Sequence, residues 1–381
     1  VADLFFRVHR SQLLPALSAV LAAVDKGSKI PVLANVLLRP DAGQLTLRGT
    51  DLDIEIETTC DLLDEGDGMP ITIKAKDLHD IVRNLPETAE IDVTTGKFHG
   101  QVQIKSGRSS FSIASLPEAD FPSIASAVTG ASFKMDMTLL AQALGKVSYA
   151  ALKVDTGRVY LTGIHVRPTD EGRKIDFVAA DGRGMALVRI DTTTEAVFDG
   201  IILPLKTAAA IQKLFGEAKE PASIEIGRNM MRVECGGISL FSRLIDGTFP
   251  PNYREVIPSN PEQEAITTVA ALNAAVTRVS LVGTELDKDG IKVTLGDGQM
   301  RVELYSKDGE SAVDHLPIEY AGEEGYTTGF NSKVLADTLS SIKTQDVRIR
   351  FGGTPPNVVF MPIADLDETF VISPMRARSV D

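Results

Sequence analysis

Side chains able to do covalent or metal chemistry are sparse in this chain and wrongly spaced for it. The five histidines, His9, His79, His99, His165 and His315, show no HxH or HxxxH metal spacing. There is no CxxC pair, and no GxxxxGK[ST], GxSxG or GxGxxG string. Asp181-Gly182-Arg183-Gly184 has the small residues of a phosphate loop. It sits between two strand-like runs and opens no helix, so its spacing predicts a turn. The acidic pairs Asp51 with Asp53 and Glu323 with Glu324 could hold a cation, but solvated charge near strand ends is the better reading. No metal, cofactor or catalytic residue is expected, and nothing demands an enzyme.

What remains is charge. The chain carries a net charge of −13, which by itself argues against a polyanionic partner. Its distribution argues otherwise. Six amphipathic stretches, at residues 11–24, 75–86, 137–151, 205–219, 269–283 and 331–343, hold nine cations. These are Lys76, Arg83, Lys146, Lys206, Lys213, Lys219, Arg278, Lys333 and Lys343, against only Asp77, Asp80, Glu217 and Asp337. The stretches thus total +5 and the rest of the chain −18. A basic helical layer inside an acidic shell would attract phosphates without reading sequence. Helices that simply carry lysine on a wet surface are the plainer alternative. The absence of tryptophan, and of aromatics among these cations, argues against a groove that stacks single-strand bases.

The elements that must position this charge are legible from periodicity. Leu13, Leu17, Val20 and Val24 follow one helix face, as do Leu140, Leu144, Val147 and Ala151, then Leu272, Val276 and Val279. A second class reads Leu78, Ile81, Val82 and Leu85, then Ile211, Leu214 and Phe215, then Leu335, Leu339 and Ile342. All six are expected to be helices of three to four turns. Between them the period falls to two, as in Leu45-Thr46-Leu47-Arg48 and Ile291-Lys292-Val293-Thr294-Leu295. Gly296-Asp297-Gly298 is a hairpin signal.

The same order of elements occurs three times, with corresponding helix starts 126 to 133 residues apart. That is far longer than a solenoid unit, and it makes each copy a domain. Leu116-Pro117-Glu118-Ala119-Asp120-Phe121-Pro122 and Asp246-Gly247-Thr248-Phe249-Pro250-Pro251 end the first two copies. The expected domains are 1–125, 126–259 and 260–381. Each would be α+β, two helices with antiparallel strands. Three such copies suggest an arc or ring. No membrane span or signal peptide is read, and Cys60 and Cys235 are expected as buried thiols in a cytoplasmic protein.

Specific strings now carry a resemblance. Ile30-Pro31-Val32-Leu33-Ala34-Asn35, Gly49-Thr50-Asp51-Leu52-Asp53 and Ser106-Gly107-Arg108-Ser109-Ser110-Phe111 resemble the first domain of bacterial sliding clamps, the β subunit of DNA polymerase III. Ala179-Ala180-Asp181-Gly182-Arg183 and Ser373-Pro374-Met375-Arg376 are similar to the second and third domains. The strings are modest singly, but they are collinear over essentially the whole chain.

The resemblance implies a polymerase processivity factor: a head-to-tail homodimer closing a six-domain ring around duplex DNA without sequence specificity. Helices packed about 8–10 Å apart leave a hole of only about 9 Å for six and about 28 Å for twelve, so two chains fit a duplex. The implied seam pairs Phe111 and Ile113 with the helix around Arg278, Leu281 and Val282. DNA-facing cations would be Lys26, Lys29, Arg83, Lys146, Lys153, Lys206, Lys213 and Lys333. The replicative polymerase, clamp loader and repair proteins would bind by short linear motifs in one groove. Its walls would be Leu161, Gly182, Met185, Pro251, Val256, Val371, Ile372, Pro374 and Met375, with Arg158, Arg183 and Arg376 at the rim. Three departures mark this chain. Arg183-Gly184-Met185 stands where many relatives have His-Arg-Leu, Pro250-Pro251-Asn252 is one residue longer than usual, and the chain continues past Arg376 to Asp381. A repeat scaffold that encircles nothing is the main rival; a hydrolase using Asp181 is the other.

Overall fold

The structure is a computed structural model that describes residues 3–25, 27–283, 290–306, 309–364 and 367–377. Lys26 and residues 378–381 lie outside the described residues. All six expected helices form: α1 Arg10–Val20, α2 Ala75–Asn84, α3 Met137–Val147, α4 Leu205–Phe215, α5 Val269–Val279 and α6 Ser332–Ser341. Each has 10 or 11 residues, about three turns, and so stops short of the span read from apolar periodicity. The reasons are local. Leu85 precedes Pro86 and is extended at ψ 159, a pre-proline residue being kept out of the α region. After α3 and α5 the chain tightens into single 3₁₀ turns, Ser148–Ala150 and Ser280–Val282. Side chains cap the starts of α5 and α6: Ala271 N donates to Thr268 Oγ1 at 3.1 Å, and Val334 N to Asn331 Oδ1 at 3.0 Å.

The expected stripes are the buried ones. Leu13, Leu17 and Val20 are fully covered in α1, and Leu144 and Val147 in α3; Leu272, Val276 and Val279 in α5 are almost so. Among the described residues every strand pairing is antiparallel. The ladders do not stop where the sequence repeats end. Two compact units result, one of residues 1–138 and 213–244, the other of 139–212 and 245–381.

The first unit holds a twelve-stranded sheet. In it strand Ile54–Asp61 pairs with Ile238–Arg243 through Ile56 opposite Leu240. Glu55, on the first of these strands, is fully buried. It accepts from Ser123 Oγ at 3.0 Å and from Ile124 N at 2.7 Å, and so ties down the segment that follows the first Phe-Pro. Glu55→Ala should lower unfolding free energy by about 1.5–3 kcal/mol, the range for hydrogen bonds to a charged group. Urea unfolding reads this, and an unchanged midpoint would contradict the tie. Cys60 and Cys235 are buried free thiols, as expected. Burial pushes the Cys60 thiol up to about 12, which keeps it out of thiolate chemistry.

The second unit holds a nine-stranded and a four-stranded sheet. Strand Gly184–Asp191 pairs with Glu368–Ile372, with Met185 opposite Val371. Those two residues belong to a core with Leu161, Val178, Ile202, Phe249 and Tyr253. That core is the floor of the site described next.

Candidate functional site

Asp181-Gly182-Arg183-Gly184 is the turn the spacing predicts. Asp181 Oδ1 accepts from Arg183 N at 2.8 Å and Gly184 N at 3.0 Å, and Gly182 has φ 89°. Amides turned onto Asp181 are not offered to a phosphate. Asp51 builds the same turn in the first repeat, accepting from Asp53 N and Ile54 N at 2.9 Å each. Among the described residues no cluster of His, Cys, Asp and Glu could hold a metal.

This turn is one wall of an apolar cavity of about 410 Å³. Gly182, Gly184 and Met185 come from the turn and the strand after it, and Val371 and Ser373 from the end of the neighbouring strand. Ser373 N donates to Arg183 O at 2.8 Å, which fixes the two segments together. Leu161 comes from the 3₁₀ turn Val159–Leu161, and Val256 from the turn Tyr253–Val256. Asn357 Nδ2 donates to Val256 O at 2.8 Å across the mouth. Arg158 Nη1 lies 3.5 Å from where a Cβ at Gly182 would stand, so its guanidinium covers the turn. Arg183 is exposed beside it. The arrangement is a short apolar trough with cations at one edge, suited to an extended apolar peptide segment.

Five expected positions are corrected. Pro250, not Pro251, lines the cavity, and Pro251 faces solvent. Ile372 is 1% exposed and points away, because side chains alternate along a strand and Val371 takes the cavity side. Pro374, Met375 and Arg376 line a different cavity, of about 560 Å³, with Lys292, Tyr326 and Pro356. Leu161, Gly182, Met185, Val256 and Val371 do meet in the first cavity.

Sequence reading missed the aromatic side of the trough. Phe249 and Tyr253 lie on it, 6.0 Å apart edge to face. Their spacing of four residues was a signal, masked by reading Phe249 only as part of a boundary while Pro251 alone was placed in the groove. Both are pinned from behind. Phe249 stacks on His165 at 4.7 Å, and Tyr253 OH donates to Asp176 at 3.0 Å. Asp176 is fully buried and also takes Arg189 at 2.6 Å and Arg254. Burial alone would raise its carboxyl, but the two guanidiniums outweigh that and hold it below the usual carboxylate range.

His165 supplies a pH test. Burial lowers it to about 4, against a smaller upward pull from its bond to Ile201 O, so the ring is neutral at pH 7. Unfolded, it would regain its ordinary 6.5 and bind a proton first. Stability should therefore fall as pH drops from about 6.5 to about 4, by about 3 kcal/mol in all. Asp176 acts separately, below its ordinary 3.8. Urea midpoints at pH 7 and 4.5 read the effect, and His165→Asn should flatten the slope. An equal slope in both proteins would contradict the assignment.

Comparison with known proteins places this geometry. Family models described as the DNA polymerase III beta subunit N-terminal, central and C-terminal domains match residues 4–125, 134–251 and 254–376 in order. The chain belongs to the bacterial β sliding clamp family. It is 30% identical over 378 residues to the beta sliding clamp of Caulobacter vibrioides, covering 97% of this chain and 99% of that one. The Proteus mirabilis beta sliding clamp is 29% identical over 372 residues, with the same coverage. Sliding clamps from Pseudomonas aeruginosa and Bartonella birtlesii, both solved bound to griselimycin, superpose with TM-score 0.90 at 28% identity. They cover 98% and 99% of this chain respectively, and all of each relative.

The expected cations divide by what they touch. In the second unit Lys146 is paired with the buried Glu368 and is only 16% exposed, so its charge is spent inside the fold. Lys153 donates to Ser148 O at 3.0 Å, and partial burial pushes its ammonium below the ordinary lysine value. Lys333 is exposed 3.5 Å from Asp337, and Lys206 is exposed. In the first unit Lys29 and Lys213 are exposed, and Arg83 lies 3.8 Å from Asp80. The hydrogen bond from Lys76, with Arg83 adding to it, holds the Asp80 carboxyl below its usual value.

The residues expected at the seam lie on one strand and at one helix end. Phe111 and Ile113 are half-buried on strand Ser109–Leu116, which pairs on one side with Gln101–Ser106. On the other side the described pairing reaches only Ser115 and Leu116. Strand Ser311–Pro317, by contrast, is the end strand of its sheet. Beside it Arg278 Nε meets Asp314 at 2.5 Å, and Leu281 is 81% exposed. Val282, in the same 3₁₀ turn, is half-buried.

Proposed function

We propose that this chain, a polymerase processivity clamp of the DNA polymerase III β family, works as a head-to-tail homodimer that closes around duplex DNA. The observation that carries the reading is the ordered match of all three repeats to the three domains of the β subunit. Among the described residues the open stretch of strand Ser109–Leu116 before Ser115 and the outer edge of strand Ser311–Pro317 support the closure, since an open strand edge is a template for another chain. Joined head to tail, such heterologous contacts close when the rotation permits.

DNA would be held loosely. Lys29, Arg83, Lys206, Lys213 and Lys333 supply exposed cations, several moderated by a neighbouring carboxylate. Weak, screened attraction lets a ring slide, whereas many direct phosphate contacts would fix it. Lys146 and Lys153 are assigned instead to internal bonds. The apolar cavity would take short linear segments of the replicative polymerase, clamp loader and repair proteins. Tethering then keeps a high effective concentration of polymerase at the primer end. We assign the chain no chemical step of its own and a cytoplasmic site of action. Among the described residues no helix is long and apolar enough to cross a membrane.

The test is primer extension by the host's replicative polymerase and clamp loader on a long circular template. Added clamp should lengthen the product of a single binding event many-fold. Products of unchanged length would overturn the reading.

A further inference from the structure

The described chain end, Met375 to Ala377, lies across the four-stranded sheet of the third repeat. Met375 N donates to Gly329 O at 2.9 Å. A Cβ at Gly329 would stand 2.3 Å from Met375 O and 3.0 Å from Ala377 N. A Cβ at Gly290 would stand 3.0 Å from Ala377 Cα. These are chiefly main-chain atoms, which cannot swing aside as a side-chain tip does. Neither glycine has a positive φ, so the backbone there would accept any residue. Close approach of the chain end is what requires them.

The two glycines lie on one face. Gly290 and Lys292 alternate with Ile291, and Lys292 is opposite Gly329, whereas the buried Ile291 and Phe330 face each other on the other side. The segment that crosses this face is continuous with the wall of the apolar cavity. Val371 and Ser373 line that cavity, Ser373 is bonded to Arg183, and two residues later Met375 is bonded to Gly329. A third glycine repeats the pattern at the other end: a Cβ at Gly184 would lie 3.0 Å from Val371 O.

We propose that Gly290 and Gly329 are positioning residues of the peptide site, forming a side-chain-free trough that seats Met375–Ala377 and so holds the Val371–Ser373 wall in place. The proposal rests on the cavity being the peptide site. It makes residues outside the cavity set its affinity, and it gives Ala377 a structural task.

The probe is a fluorescein-labelled peptide from the clamp-binding segment of the host's replicative polymerase, read by anisotropy on the intact chain. Gly329→Ala should bind it about tenfold more weakly than the parent, and the milder Gly290→Ala about threefold. In a chain ending at Arg376 the seat of Ala377 is gone, so Gly290→Ala should have no further effect there. Parent affinity in Gly329→Ala overturns the proposal. So does an equal effect of Gly290→Ala in the full and shortened chains, which would mark a defect of the sheet alone. A parent that does not bind the peptide, while a known clamp does, overturns the groove reading and this proposal with it.

Discussion

Leu281→Asp should convert the dimer to monomers while leaving the chain folded. Leu281 is 81% exposed in the single chain, far more than a residue of its type needs to be, so a carboxylate there costs the monomer little. In the proposed seam the same carboxylate is buried against the apolar Phe111 and Ile113 without a cation of its own. Arg278, the nearest candidate, is already engaged by Asp314 at 2.5 Å. Burying an unpaired charge at the centre of an interface places the loss at or above the hot-spot threshold of about 2 kcal/mol, roughly thirtyfold in dimer affinity. Sedimentation equilibrium over a dilution series reads it. A variant that stays dimeric at the parent's concentration would place the seam elsewhere.

Val256→Asp carries the second large effect. Val256 is 37% exposed at the cavity mouth, so the variant should fold. Glu255 precedes it on the same turn and would repel the new charge. An apolar peptide side chain entering the cavity would have to strip water from that carboxylate, at a cost of about 2 kcal/mol or more. Binding of the polymerase peptide should weaken by roughly thirtyfold or more, while dimerisation is untouched. Unchanged affinity would remove the apolar cavity as the site.

The fold was legible because helix faces obey a rule of spacing. Leu13, Leu17 and Val20, or Leu272, Val276 and Val279, announce a buried stripe whatever surrounds them. Helix ends were less so: Pro86 marks one in the sequence, while α3 and α5 close by tightening into 3₁₀ turns. The joining of one repeat to the next was not legible at all. Pairing of Ile56 with Leu240, or Met185 with Val371, depends on neighbours more than 180 residues away.

The candidate site divides in the same way. Met185, Val371 and Leu161 were reached through resemblance, and they do meet. Ile372, Pro374, Met375 and Arg376 were reached through the same resemblance, yet strand alternation and the bond of Met375 to Gly329 send them elsewhere. Charge was misjudged for a related reason. Composition counts Lys146 as a surface cation, but only the packing brings Glu368 beneath it. Gly290 and Gly329 carried no signal, because a glycine kept for close approach looks in sequence like any other.

Retention on DNA tests the central claim most directly. The protein is loaded by a compatible clamp loader with ATP onto nicked circular DNA, and the circle is then cut once by a restriction enzyme. A ring held by topology should stay on the circle and run off the free ends after cutting, with salt having little influence on the intact circle. Equal retention before and after cutting, with loading verified by a known clamp, would mean ordinary surface binding and would contradict encirclement.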